Sequence, residues 1–498
     1  MSQNPKRSHT GVIVVLTLLI VLMIAATAFL IYLSIGLVNK APEVTPPTSS
    51  SVQLPQTDVT APAETETTAP PPTTLPPEPE KVVATATIGT QGDLLMHKPV
   101  FDTCRKSDGT YDFSSIFQYS KDIVSGLDYA IANLETTFGG DSYTYQGNPA
   151  FNCPDGLVDS VVDTGYDMLL TANNHAGDTM GDGIVRTVEK VREAGLAALG
   201  SQLSGEKKYS VVEVNGIKIG MVCYTWAFSG DGSKFSLNGL TAVKDEGQMN
   251  YFTNVNPDKL YNELKPILEG MKADGAEATM IFLHWGQEYQ LKENAAQQKM
   301  AQKLCDMGFD VIVGGHPHVV QPMALLESTE IPGNKTYCIY SLGNAVSNQR
   351  TGVSSQFPAG YTEDGVLFSV TFEKYSDGKV YVAGVDAIPT WVNMHSNNGG
   401  REYNILPLIK DNESEWESAF KMTSAQFSAA QKSYDRTMGI IGEGLTACQE
   451  DLAQAKADRE QYYLDLPNHP EWLDAETAEE TIAETAVETE ETTLPDAA

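Results

Sequence analysis

The chain has 498 residues, of which 41% are hydrophobic and 20% charged, and its formal net charge is −32. That length allows two or three domains. A strongly negative chain repels nucleic-acid phosphates, so a nucleic-acid partner is excluded.

Lys6 and Arg7 lie in the first ten residues, and Gly11 to Val38 contain no charged residue. About 20 apolar residues suffice to cross a bilayer. Ala26-Thr27-Ala28 offers a small-x-small cleavage site, but the apolar run continues well past it, which favours an uncleaved anchor over a signal peptide. Positive residues stay on the cytoplasmic side. The expectation is a cytoplasmic tail (1–10), a single transmembrane anchor in the cell membrane (11–38) and an extracellular remainder. Residues 41–80 are rich in Pro, Thr and Glu. Such a segment cannot bury enough apolar surface to offset chain entropy, and it reads as a disordered stalk.

A globular region is expected over residues 81–410. Val82 to Ile88 is a strand by its β-branched content, running into Gly89-Thr90-Gln91-Gly92-Asp93. A second strand around Asp128 to Ala132 ends at Asn133-Leu134-Glu135, and a third, Asp167 to Leu170, ends at Thr171-Ala172-Asn173-Asn174-His175. A helix follows from Ile184 to Ala194. Val211 to Val214 and Ile217 to Ile219 flank Asn215-Gly216, a pair suited to the type I′ hairpin turn. Pro257 to Asp274 reads as a helix, Thr279 to Leu283 as a buried strand ending at His284, and Ala295 to Met307 as a helix.

Val311-Ile312-Val313 then runs into Gly314-Gly315-His316-Pro317-His318. Two glycines are expected to turn the backbone tightly at the strand end, and the proline to stiffen the turn that presents the two imidazoles. Tyr337 to Tyr340 forms another strand, and Val366 to Phe372 with Val380 to Val385 a late β-pair. Residues 411–472 have helical periodicity with few large apolar side chains, as one or two helices packed on the domain or one long partner-binding helix. The acidic tail (473–498) has no Lys or Arg from Asp474 to Asp496 and is expected to be disordered.

The cysteines are Cys104, Cys153, Cys223, Cys305, Cys338 and Cys448, with no CxxC pair, which argues against a cysteine zinc knuckle. An extracellular location permits disulfides, of which Cys104–Cys153 is one conceivable pairing. Cys223, Cys305 and Cys338 sit in apolar runs and read as packed thiols.

Asp93, Glu135, Asn174, His284 and His316 each fall at the carboxyl end of an expected strand, the edge where ligand sites of open α/β sheets collect. Singly, each has an ordinary reading: Asp93 in a turn, Glu135 or Asn174 as a helix cap, His284 as a core histidine. Jointly with His318 they make a metal-ligand set. Carboxylate, amide oxygen and imidazole suit Mn²⁺, Fe²⁺ or Zn²⁺, as one or two divalent ions. Paired ions can clamp attacking and leaving oxygens and generate hydroxide near neutral pH. His175 follows a candidate ligand and is placed to protonate a leaving group. Asp178, three residues on, is a candidate to orient it.

Six segments occur in order: Gly92-Asp93-Leu94-Leu95-Met96, Asn133-Leu134-Glu135, Asn173-Asn174-His175-Ala176-Gly177-Asp178, His284-Trp285-Gly286-Gln287-Glu288-Tyr289, Gly315-His316-Pro317-His318 and Ser341-Leu342-Gly343-Asn344. Over about residues 84 to 392 this set resembles the CapA family of bacterial capsule-synthesis proteins, which serve poly-γ-glutamate production and are similar in turn to calcineurin-like metallophosphatases. The resemblance implies a four-layer α/β/β/α sandwich. It also implies one metal on Asp93 and His318, a bridging Glu135, a second metal on Asn174, His284 and His316, and His175 as the catalytic histidine. Two departures stand out: Leu95 fills the place of the first-motif histidine, with His97 two residues on, and Asn133 and Glu135 replace a Gly-Asp pattern.

Three functions follow as expectations. The first is a surface-tethered component of poly-γ-glutamate synthesis or export, partnered by the membrane, an anionic polymer and capsule synthase or export subunits. The second is a surface metal-dependent hydrolase acting on a phosphoester or a γ-glutamyl amide. The third is a binding scaffold with a vestigial site.

Overall fold

The computed structural model describes residues 81–228, 236–238, 248–253, 257–397 and 400–465. The expected cytoplasmic tail, anchor, stalk and acidic tail lie outside the described residues. Among the described residues, no helix is long and apolar enough to cross a membrane.

In chain order the strands are β1 (Val82–Leu94), β2 (Tyr129–Asn133), β3 (Met168–Leu170), β4 (Ala197–Leu199), β5 (Ser210–Val214), β6 (Ile217–Trp226), β7 (Tyr251–Phe252) and β8 (Ala278–His284). They continue with β9 (Val311–Gly315), β10 (Val320–Glu327), β11 (Lys335–Leu342), β12 (Asn344–Val346), β13 (Asp364–Tyr375), β14 (Val380–Asn397) and β15 (Gly400–Pro407). The longer helices are α1 (Gly156–Thr164), α2 (Met180–Glu193), α3 (Pro257–Ala273), α4 (Ala295–Asp306) and α5 (Ser424–Asp465).

One sheet runs β15-β14-β13-β1-β2-β3-β4, with β12 beside β1, and the other runs β10-β11-β9-β8-β6-β5, with β7 beside β6. β1 to β4 are mutually parallel, as are β6, β8, β9 and β11. Each group therefore ends on one edge of its sheet. β1 runs past the expected Ile88 to Leu94, because Gly89 to Gln91 pair with β13 on one side and β2 on the other. Asp93 is thus a strand residue one position from the end of β1, paired with Asn133 and Asn344.

Alternation along the strands builds the layers. Ile88, Ile131 and Met168 of the first sheet pack against Ile219, Met221, Met280 and Val311 of the second. On the outer side of the first sheet, Ala130, Ala132 and Leu169 meet Leu157 and Val161 of α1 together with Val100 and Ile116. On the outer side of the second, Val222, Ile281 and Leu283 meet Leu260 and Leu264 of α3 and Leu304 of α4. Strands buried on both faces read as continuous apolar runs, as Thr279 to Leu283 does. The Asn215-Gly216 hairpin has φ of 51° and 83° at those positions, the pair of positive values that type I′ requires. Asn294 caps α4 through a reciprocal capping box with Gln297, satisfying backbone donors that the first turn leaves open.

α5 is part of the domain's packing. Its stripe Ile441, Leu445, Cys448 and Leu452 enters the core between the sheets, at the i, i+4, i+7, i+11 spacing of one helix face. Upstream, Trp416, Met422 and Ala430 cover Trp391, Leu406 and Leu408. All the cysteines are buried free thiols. The conceivable Cys104–Cys153 disulfide is not made: both thiols pack in the apolar layer outside the first sheet, and Cys104 Sγ donates to the Val100 carbonyl at 3.7 Å.

Candidate metal centre

The parallel strand ends of the two sheets deliver the site. β1 brings Asp93, the turn after β2 brings Glu135, the turn after β3 brings Asn174 and His175, β8 ends on His284, and the turn after β9 carries His316 and His318. The glycines before that last turn act differently from the expectation. Gly314 and Gly315 are strand residues. A Cβ on Gly314 would lie 2.0 Å from the Tyr340 carbonyl oxygen and 2.5 Å from Trp285 Nε1, so the glycine is needed for close approach of β9 to β11. The turn itself falls on the histidines, with φ of 95° at His316 and 56° at His318. Bulky residues held at positive φ store strain that the surroundings must over-determine, a frequent feature of functional sites.

Asp93, Glu135, Asn174, His284, His316 and His318 are all buried, none more than 7% exposed. His318 Nδ1 lies 3.1 Å from Asp93 Oδ2, and His318 Nε2 lies 3.6 Å from Glu135 Oε1. His284 Nε2 is 3.4 Å from the same Glu135 oxygen, 2.8 Å from Asn174 Oδ1 and 3.2 Å from His316 Nδ1. Two groups of three therefore share Glu135: Asp93, Glu135 and His318 in one, Glu135, His284 and His316 in the other. Within each group the candidate ligand atoms lie within 4.8 Å of one another.

The donor set fits a divalent cation on a physical test. Among the described residues, both Glu135 carboxylate oxygens are buried without a hydrogen-bond donor, a costly arrangement for a charged group unless a cation supplies the missing partner. In the metal-free protein, burial and then the neighbouring Asp93 and Glu288 push the Glu135 carboxyl well above its ordinary range. Burial likewise holds His284 and His316 well below the usual imidazole range, favouring the neutral form that binds metals. These buried clusters can hold a metal ion.

His175 stands beside the two groups and outside both. Its Nδ1 is 2.7 Å from Asp178 Oδ2, and Asp178 also accepts the Phe151 amide at 2.5 Å. The Phe151 ring meets the imidazole edge-on at 4.4 Å. His97 belongs to neither ligand group: its Nδ1 lies 3.3 Å from the Leu95 carbonyl, and its ring meets Phe151 edge-on at 5.1 Å.

Three asparagines that were not among the expected ligands support the cluster. Asn133 Nδ2 donates to Asp93 Oδ1 at 2.7 Å and lies 3.4 Å from His284 Nδ1. Asn344 Oδ1 is 3.2 Å from His318 Nδ1. Asn238 Oδ1 accepts from Asn174 Nδ2 at 3.1 Å, which turns the Asn174 oxygen toward His284. Asn133 and Asn344 carried a signal, their place at strand ends; Asn238 carried none.

Two mixed sheets with helices outside them, and buried carboxylates and imidazoles gathered at their strand ends, define an α/β domain of the metal-site type. The chain belongs to the family described as bacterial capsule synthesis protein PGA_cap, whose model matches residues 87–349. It is 28% identical over 265 residues to the capsule biosynthesis protein CapA of Bacillus anthracis, a match covering 52% of this chain and 59% of that protein. It is also 28% identical over 340 residues to the PGA biosynthesis protein CapA of Bacillus subtilis (strain 168), covering 65% of this chain and 78% of that protein. The chain thus spans about three-fifths of the length of the first of these relatives.

Proposed function

We propose that this protein is a membrane-anchored, extracellular component of poly-γ-glutamate capsule synthesis or export, working through a two-ion metal centre. Family membership and the names of the relatives support the capsule role. The uncharged run from Gly11 to Val38 supports the anchor. The observation that carries the metal centre is Glu135, whose buried, undonated carboxylate belongs to both ligand groups.

In this reading Asp93, Glu135 and His318 would hold one ion, and Glu135, His284 and His316 with Asn174 would hold the other. A bound pair of such ions would polarise an anionic group and lower the pKa of bound water. Asn133 keeps Asp93 and His284 in register, and Asn344 steadies His318. The membrane, an anionic polymer and capsule synthase or export subunits are the proposed partners.

A second reading, a surface metal-dependent hydrolase of metallophosphatase-like type, is favoured by the His175–Asp178 pair. Asp178 holds the His175 Nδ1 side, leaving Nε2 to deliver a proton to a phosphoester or γ-glutamyl amide leaving group.

The test is metal analysis of the purified full-length protein against a His316→Ala/His318→Ala double variant. About two equivalents of Mn²⁺, Fe²⁺ or Zn²⁺ in the wild type and loss in the variant are expected. Absence of bound metal from the wild type after loading sinks the reading. Turnover of model phosphoesters or γ-glutamyl polymer by the loaded wild type separates the hydrolase from the assembly role.

A further inference from the structure

An open cleft of ≈ 710 Å³ adjoins the metal centre, with His316 and Asn238 among its lining residues. Its walls are the turn after β8 and the segment around Phe357. Three aromatic side chains line it, Trp226, Tyr289 and Phe357, and the Tyr289 and Phe357 rings lie 5.2 Å apart at 59°. Tyr289 is fixed rather than loose. Its backbone is held at φ 64°, its amide donates to the Pro317 carbonyl at 2.8 Å, and its hydroxyl accepts from Gln349 Nε2 at 3.2 Å. Glu288 contributes the one carboxylate of the lining, and no Lys or Arg lines the cleft among the described residues.

Aromatic faces carry the negative lobe of the ring quadrupole and attract ammonium groups. A carboxylate adds to that attraction and repels an anion. The metal ligands at the inner end have the opposite preference once loaded with cations. The cleft and the centre together therefore offer one ligand two adjoining preferences, for a cation at the aromatic and carboxylate lining and for an anion at the metal ligands.

The geometry points to a subsite in which Glu288, Trp226, Tyr289 and Phe357 bind the primary ammonium end of a chain whose carboxylate or amide groups reach the metal centre. This inference rests on the polymer reading above, for which the ligand is the free amino end of a γ-linked glutamate chain.

Calorimetry on the full-length, Mn²⁺-loaded protein tests it with two γ-linked glutamate tetramers, one with a free amino end and one acetylated there. The free tetramer is expected to bind about tenfold more tightly. Glu288→Gln should abolish that preference while bound metal stays unchanged. Equal binding of both tetramers overturns the ammonium subsite and leaves the polymer reading standing. Binding of neither overturns the polymer reading and this inference with it. A preference that persists in Glu288→Gln overturns the assignment of the subsite to Glu288.

Discussion

Glu135 Oε1 lies between two imidazoles, 3.4 Å from His284 Nε2 and 3.6 Å from His318 Nε2. His284 is the last residue of β8 and His318 lies in the turn after β9, both of the second sheet, whereas the carboxylate follows β2 of the first. This contact joins the sheets at their common edge, and it ties the electrostatics of the site to cation binding.

The pH dependence of metal-free stability follows from that contact. The folded Glu135 carboxyl is raised above its reference value of 4.5, so the folded state holds a proton that the unfolded chain has released. Its contribution is lost as pH rises from 4.5 through the folded value. His284 and His316 are lowered from 6.5, so below that pH they act in the opposite sense, and stability rises with pH. Urea unfolding of stripped wild type and Glu135→Gln isolates the Glu135 part: as pH rises above 4.5 the wild type should lose stability relative to Glu135→Gln. Added Mn²⁺ should reverse the slope, since binding to the folded state stabilises it by mass action.

Gly314→Ala tests the approach of β9 to β11. Its methyl would sit 2.0 Å from the Tyr340 carbonyl oxygen, so backbone must move. A loss of about 1–3 kcal/mol is expected from such overpacking, measured by chemical denaturation. No loss would mean that the two strands separate freely.

His175→Ala should retain full metal content, because His175 belongs to neither ligand group. If the hydrolase reading holds, turnover falls about 10²–10⁴-fold, the usual weight of a general acid. Asp178→Asn should lower turnover in the same direction by weakening the 2.7 Å contact that orients the ring. Unchanged activity in Asp178→Asn removes Asp178 from the mechanism.

Asn238→Ala frees the Asn174 amide to rotate, since Asn238 Oδ1 accepts from its Nδ2 at 3.1 Å. Metal affinity should fall about 10–100-fold, as expected when a ligand loses the partner that orients it. Competition with a fluorescent chelator measures the change.

Arg436 of α5 clamps Asp364, with Nε and Nη2 each 2.7 Å from a carboxylate oxygen. Burial outweighs this pairing and still pushes the Asp364 carboxyl up to about 6. Arg436→Met leaves a buried carboxylate unpaired, at a cost of about 3–5 kcal/mol where it is ionised. Because the folded value is raised above 3.8, stability falls as pH rises through that window, and loss of Arg436 extends it upward. Unfolding measured at pH 5 and pH 8 should therefore show the larger deficit at pH 8.

Much of the fold was legible because local patterns encode local structure. The helices α3 and α4 fell within a residue of expectation, since both have period-3.6 stripes, Leu260, Leu264, Ile267 and Met271 in one and Met300, Leu304 in the other. The Asn215-Gly216 hairpin was announced by its turn residues. β4, β7, β10, β12 and β15 were not anticipated. β4, β7 and β12 have two or three residues each, too few for a period to show, and β10 and β15 exist through their pairing with β11 and β14.

What the amino-acid sequence determined alone was the kind of each segment and the chemistry waiting at each strand end: Asp93, Glu135, Asn174, His284, His316 and His318. What tertiary structure decided was which of them meet. Asp93 and His318 are 225 residues apart in the chain and 3.1 Å apart in space. Asn238 reaches Asn174 from a segment without any periodic signal, and α5 seals the core by a stripe that fits equally well a free binding helix. The physical reason is that periodicity records how a segment will present its side chains, whereas the choice of neighbour is made by sheet register and layer packing, which couple residues that share no local pattern.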